Sequence, residues 1–167
     1  MQLCVNSVQK WVSENGFKFS TSKMVCIHFH QQYGFFPDPN ILLGKTPIKV
    51  VKEAKFLGLI FDTKLTFKNH IQYLKTSCLD ILRVVGHTDW GADHIVLLRL
   101  YRLLVCSKLD YGCIVYGLAR RSILKQLDPI HHQGLRIALG AFRTSPAQSL
   151  HIEAHEPSLT TRRLNCL

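Results

Sequence analysis

The spacing of apolar residues changes character near Thr63, and that change limits the chain to a small strand-bearing part followed by a helical one. Before Thr63, short apolar runs alternate with Gly and Pro. Met24-Val25-Cys26-Ile27-His28-Phe29 has the content of a half-buried strand. Tyr33 to Asn40, with Gly34, Pro37 and Pro39, is a loop. Ile41-Leu42-Leu43, Gly44-Lys45 and Thr46 to Val51 predict a hairpin around a glycine turn, and Ala54 to Asp62 a second strand pair centred on Gly58. Ahead of these strands, Leu3, Val5, Val8, Trp11 and Val12 recur at mostly three- and four-residue spacing from Gln2 to Asn15, a short amphipathic helix that Asn15-Gly16 stops.

After Thr63 helical spacing takes over. Ile71, Leu74, Cys78, Ile81, Leu82 and Val85 mark the buried face of a helix from about Phe67 to Val85, ended by Gly86. A second helix is expected from Asp93 to Lys108 and a short third from Tyr111 to Tyr116. A fourth fits Arg121 to Leu139, where Pro129 and Gly134 predict a kink or break. A last helix follows Pro157. The fold class is therefore α+β, with a small antiparallel part over residues 1–62 and a mainly α-helical part over 63–167.

A hydrophobic content of 47% is enough to bury a core. The formal charge of +10 favours an acidic partner, a nucleic acid or an anionic membrane surface, and does not choose between them. The excess is uneven: residues 1–62 carry seven basic and four acidic side chains, residues 63–167 fourteen and seven. The later part is the expected docking surface. Cys4, Cys26, Cys78, Cys106, Cys113 and Cys166 stand singly, without zinc-like spacing, and read as small buried hydrophobes of a reducing compartment. The first residues lack a basic segment followed by an apolar one, and no apolar run approaches the ~20 residues of a membrane span. These features predict an intracellular protein of cytoplasm or nucleus, with no membrane partner.

The most distinctive local run is Glu53-Ala54-Lys55-Phe56-Leu57-Gly58-Leu59-Ile60-Phe61-Asp62, followed by Leu65-Thr66-Phe67-Lys68-Asn69-His70-Ile71. It resembles the primer-grip hairpin and following thumb helix of non-LTR (LINE-type) retrotransposon reverse transcriptases, particularly jockey and I-like elements. Gly16-Phe17-Lys18-Phe19-Ser20-Thr21-Ser22-Lys23-Met24 resembles the palm motif just before that hairpin, with Met24 where the family usually has threonine. His87-Thr88-Asp89-Trp90-Gly91-Ala92-Asp93, Leu97 to Arg102, Lys108 to Gly112 and Ala141 to Pro146 continue the resemblance over nearly the whole chain.

The resemblance implies the end of a palm over 1–62 and a thumb over 63–167. It implies a primer-grip role for Phe56, Leu57, Gly58 and Leu59, the glycine allowing close backbone approach to a primer terminus. Lys23 matches the family lysine proposed to act as general acid or electrostatic support near departing pyrophosphate. Arg99, Arg102, Lys108, Arg120, Arg121 and Lys125 are implied contacts to phosphates of a template and primer duplex. Trp90 and Tyr101 are either base-stacking platforms or core.

The aromatic-Ala-Asp-Asp turn and earlier aspartate with which such polymerases hold two Mg²⁺ ions are not among these residues, and no Asp-Asp pair occurs. The expectation is a fragment beginning beyond the catalytic centre, without a cofactor of its own. Mg²⁺ is implied for the parent enzyme, and the partners are the template-primer duplex and the upstream palm and fingers. A non-enzymatic basic helical nucleic-acid-binding module and a non-functional element remnant are the alternatives. His151 and His155, four apart, can share a helix face and hold a metal, but Pro157 opposes a continuing helix there. His28 and His30 lack a third ligand and read as polar surface.

Overall fold

The computed structural model describes residues 1–30, 37–86 and 91–165. The loop expected from Tyr33 lies partly, and His87 to Trp90 with Cys166 wholly, outside the described residues. The chain divides into two compact units, Met1–Leu65 and Thr66–Leu167.

The first unit opens with α1 (Gln2–Glu14), whose apolar stripe is only partly buried. Val12 is buried, while Leu3, Val8 and Trp11 stay exposed, and the Trp11 ring stacks on Phe17. Gln2 clamps the helix start to the Leu42 backbone: its Nε2 donates to the carbonyl at 2.7 Å and its Oε1 accepts from the amide at 2.9 Å. The strands form three two-stranded ladders among the described residues. β1 (Val25–Cys26) pairs in parallel with β4 (Lys49–Val50), and β2 (Leu42–Leu43) pairs antiparallel with β3 (Thr46–Pro47) around Gly44. β5 (Glu53–Phe56) and β6 (Leu59–Asp62) make the longest hairpin, with Glu53 opposite Asp62 and Phe56 opposite Leu59. The parallel pair is not visible in the sequence, because only the intervening β2–β3 hairpin brings β4 back beside β1.

In the second unit, α2 (Lys68–Val85) buries Ile71, Leu74, Cys78 and Leu82 together with His70. α3 (His94–Tyr101) passes through a π-helical turn at Arg102–Cys106 into α4 (Ser107–Asp110). The helical path expected there is continuous, although its hydrogen-bond pattern is not. α5 (Cys113–Tyr116) and α6 (Arg121–Leu124) are single turns. A 3-10 turn at Lys125–Leu127 then precedes α7 (Asp128–Leu139), and the chain ends through α8 (Ala147–Glu153) and α9 (Leu159–Asn165).

Pro129 and Gly134 act differently from the expected kink. The change of helix type comes before Pro129, which occupies the first turn of α7, where its missing N–H costs nothing. α7 runs unbroken through Gly134, where a Cβ would overlap the Tyr101 ring, so glycine lets α3 close on α7. Ile71, Leu82, Tyr101, Val105, Leu127, Ile130 and Leu135 are each at most 1% exposed and form the core of this unit. Each fully buried side chain of this kind contributes roughly 1.5–3 kcal/mol. Cys78, Cys106 and Cys113 are buried as expected, whereas Cys4 is exposed.

The fold is α+β, a small strand region with antiparallel hairpins followed by a predominantly helical region. No helix among the described residues is long and apolar enough to cross a membrane.

Candidate nucleic-acid interface

The turn between β5 and β6 has two residues, Leu57 and Gly58, at φ 46 and φ 82. Two positive values in a two-residue hairpin match the twist of the flanking strands. Glycine adopts this conformation freely, whereas leucine pays on the order of 1 kcal/mol to do so. The tip also turns apolar groups outward: Phe56 is 65% and Leu57 71% exposed, while Leu59 is 7% exposed and anchors the hairpin. Lys23 is exposed on the turn that leads into β1, its amide bonded to the Ser20 carbonyl at 3.1 Å.

In the helical unit, Arg99, Arg120, Arg121 and Lys125 are exposed, and their side chains have no ion-pair or hydrogen-bond partner among the described residues. Lys108 donates to Ser77 Oγ, tying α4 to α2. Arg102 is held inward, Nε donating to Glu156 Oε1 at 2.5 Å and Nη2 to the Ala154 carbonyl at 2.9 Å. The other oxygen of Glu156 accepts from Arg162 Nη1 at 2.7 Å, and Arg162 forks onto Asp110 at 3.0 and 2.6 Å. Charge therefore alternates from Arg102 through Glu156 and Arg162 to Asp110, docking α9 onto α4. The bond to Asp110, above all, raises the pKa of Arg162. Arg102 thus has a structural duty, which leaves it fewer donors for an outside phosphate.

Arg121 and Lys125 do converge. With Arg163 from α9 they line a cleft of about 410 Å³ whose apolar wall is Leu124 and Leu164, and among the described residues no carboxylate lines it. Three cations around one concave surface concentrate positive potential there. Nothing in the sequence marks Arg163, because only folding brings α9 beside Arg121.

Tyr101 is core: it is 1% exposed and hydrogen-bonded to His131 Nδ1. Trp90, the other stacking candidate, lies outside the described residues. His151 donates from Nδ1 to the Glu156 carbonyl at 3.1 Å and stacks on His131, with ring centroids 5.1 Å apart. Among the described residues no three His, Cys, Asp or Glu side chains are grouped to hold a metal, so the Mg²⁺ implied for a polymerase finds no ligand set in them.

Comparison with known proteins gives the relationship. The chain is 25% identical over 130 residues to the probable RNA-directed DNA polymerase from transposon X-element of Drosophila melanogaster, covering 75% of this chain. It is 24% identical over 144 residues, 84% of the chain, to the RNA-directed DNA polymerase from mobile element jockey of Drosophila funebris. To the retrovirus-related Pol polyprotein from type-1 retrotransposable element R1 of Bradysia coprophila it is 27% identical over 116 residues, 68% of the chain. The matched segments span only 14%, 16% and 12% of those relatives' own lengths. No family model matches the chain. No solved structure matches it. At low identity and over part of its length, the chain is homologous to reverse-transcriptase-like proteins of non-LTR retrotransposons.

Proposed function

We propose that this chain is a palm-end and thumb segment of a jockey-like RNA-directed DNA polymerase, and that it positions template and primer rather than performing nucleotidyl transfer. One observation carries the reading: polymerase relatives align with 68–84% of the chain while the match spans 12–16% of their own lengths. Residues 1–62 then supply the palm end and 63–167 the thumb. Phe56, Leu57, Gly58 and Leu59 offer a tight turn with two positive φ values to a primer end, and Lys23, by resemblance to the family lysine, gives a proton or electrostatic support near departing pyrophosphate. Arg121 and Lys125, with Arg99, Arg120 and Lys108, neutralise duplex phosphates, and Arg102 contributes least because Glu156 already holds it. The metal-holding carboxylates belong to another part of the polymerase.

Purified alone, the chain is expected to bind a short RNA–DNA hybrid at low salt and to give no primer extension with nucleotides and Mg²⁺ or Mn²⁺. Extension that survives removal of contaminating polymerase overturns the division of labour, and failure to bind the hybrid overturns the positioning role. The basic cleft lies wholly within the helical unit, which favours as a second reading a non-enzymatic basic module that binds nucleic acid. An open frame encoding the aromatic-Ala-Asp-Asp turn immediately upstream separates the two in favour of the polymerase.

A further inference from the structure

The helical unit holds another concavity lined by cations, a cleft of about 750 Å³ at the C-terminal end of α7 bounded by Gln133, Arg136, Gly140 and Arg143. Gly140, at φ 62, reverses the chain there. Its amide and that of Ala141 bond back to the carbonyls of Ile137 and Arg136 at 3.4 and 3.0 Å, so Arg143 returns to the cleft that Arg136 lines. Arg136 fixes this loop by donating from Nη2 to the Ser145 carbonyl at 3.0 Å. Its Nε–H is buried without an acceptor, and no carboxylate pairs with it among the described residues. A partly desolvated guanidinium with neither counter-ion nor a full set of acceptors is costly unless a ligand supplies both. Among the described residues no carboxylate lines the cleft, and Gln133 adds an amide donor. A tetrahedral oxyanion brings the missing charge and several lone pairs at once. The carbonyl end of α7 opposes an anion with roughly half a charge, which two arginines outweigh.

We propose that this cleft is a phosphate-binding site in which Arg136 and Arg143 grip a backbone phosphate of a nucleic acid, with Gln133 donating to the same group. The cleft has room for the attached sugar, and Phe142, 82% exposed beside Arg143, is placed to stack on a base. The source of the phosphate rests on the nucleic-acid reading above, whereas the chemistry of the cleft does not.

The test follows the Arg136 Nε–H resonance in the full chain with isotope-labelled arginine, identified by its loss in Arg136→Lys. The titrants are inorganic phosphate and, separately, a short DNA duplex. A saturating shift with both is expected, and Arg143→Gln should lower the salt slope of duplex affinity by about 0.9, one phosphate contact. If the duplex shifts Arg121 and Arg163 but neither Arg136 nor Arg143, and the slope of Arg143→Gln is unchanged, the cleft assignment falls while the positioning role stands. If the duplex does not bind yet phosphate shifts Arg136, the phosphate site stands and the nucleic-acid reading falls. Absence of any shift with phosphate or duplex overturns the proposal outright, and circular dichroism confirms that each variant is folded.

Discussion

His131 is almost wholly removed from water, yet both its ring nitrogens are occupied. Nε2 lies 3.2 Å from the Pro157 carbonyl, and Nδ1 meets the Tyr101 hydroxyl. A carbonyl only accepts, so Nε2 carries the proton and Nδ1 accepts from Tyr101, an arrangement that fits the neutral ring. Burial first, and then the neighbouring His151 and His132, pushes the His131 pKa from 6.5 down to about 4. His132 shifts the same way, through burial and then His151. The unfolded chain binds the extra proton between those limits, so this stability is whole above pH 6.5 and lost as pH falls toward 4. The loss is up to about 3 kcal/mol. The urea midpoint should fall across that window, and His131→Phe should remove most of the slope while lowering stability at neutral pH. A pH profile unchanged by the substitution would place the acid sensitivity elsewhere. In the sequence His131 looks like any polar residue of an amphipathic helix. Its burial depends on α8 and the Pro157 turn, which no local pattern announces.

Among the elements, α2 was the most legible, because Ile71, Leu74, Cys78 and Leu82 fall on one face and Gly86 closes the helix. The β5–β6 hairpin was legible for another reason, a Leu-Gly turn followed by the apolar run Leu59-Ile60-Phe61. Packing between helices was not. Gly134 looked like a helix breaker and proves to be the contact point of α3 on α7, where the Tyr101 ring occupies the space of a side chain. That ring cannot move aside cheaply, since its hydroxyl is bonded to His131. Overpacking costs about 1–3 kcal/mol, while an alanine in place of glycine returns up to about 1 kcal/mol of helix propensity. Gly134→Ala is therefore expected to lower stability by roughly 1–2 kcal/mol, read from chemical denaturation. Equal or greater stability in the variant would mean that α3 and α7 do not approach as closely as described.

For the whole molecule, the sign of the charge was legible in the sequence, while the division of its arginines between internal ion pairs and an open cleft was not. Two of the fourteen basic groups after residue 62, Arg102 and Arg162, are committed to Glu156 and Asp110 and hold the fold together. Arg121 and Lys125 are without such partners and meet Arg163, whose nearest bond is a long 3.4 Å contact to Thr160. If this cleft docks a duplex, each lost phosphate contact should reduce the salt slope of affinity by about 0.9 on B-form DNA. Replacing Arg121, Lys125 and Arg163 together by Gln should then flatten the slope by roughly two to three and leave helical content unchanged, because none of the three has an ion pair among the described residues. Arg102→Gln makes the contrasting control. It should lower stability through the freed Glu156 and leave the slope nearly as steep, since its donors already face inward. Titration of both variants against one duplex at several salt concentrations separates charge that grips from charge that holds the fold. The same loss of slope in both would move the docking surface away from the α6–α9 cleft.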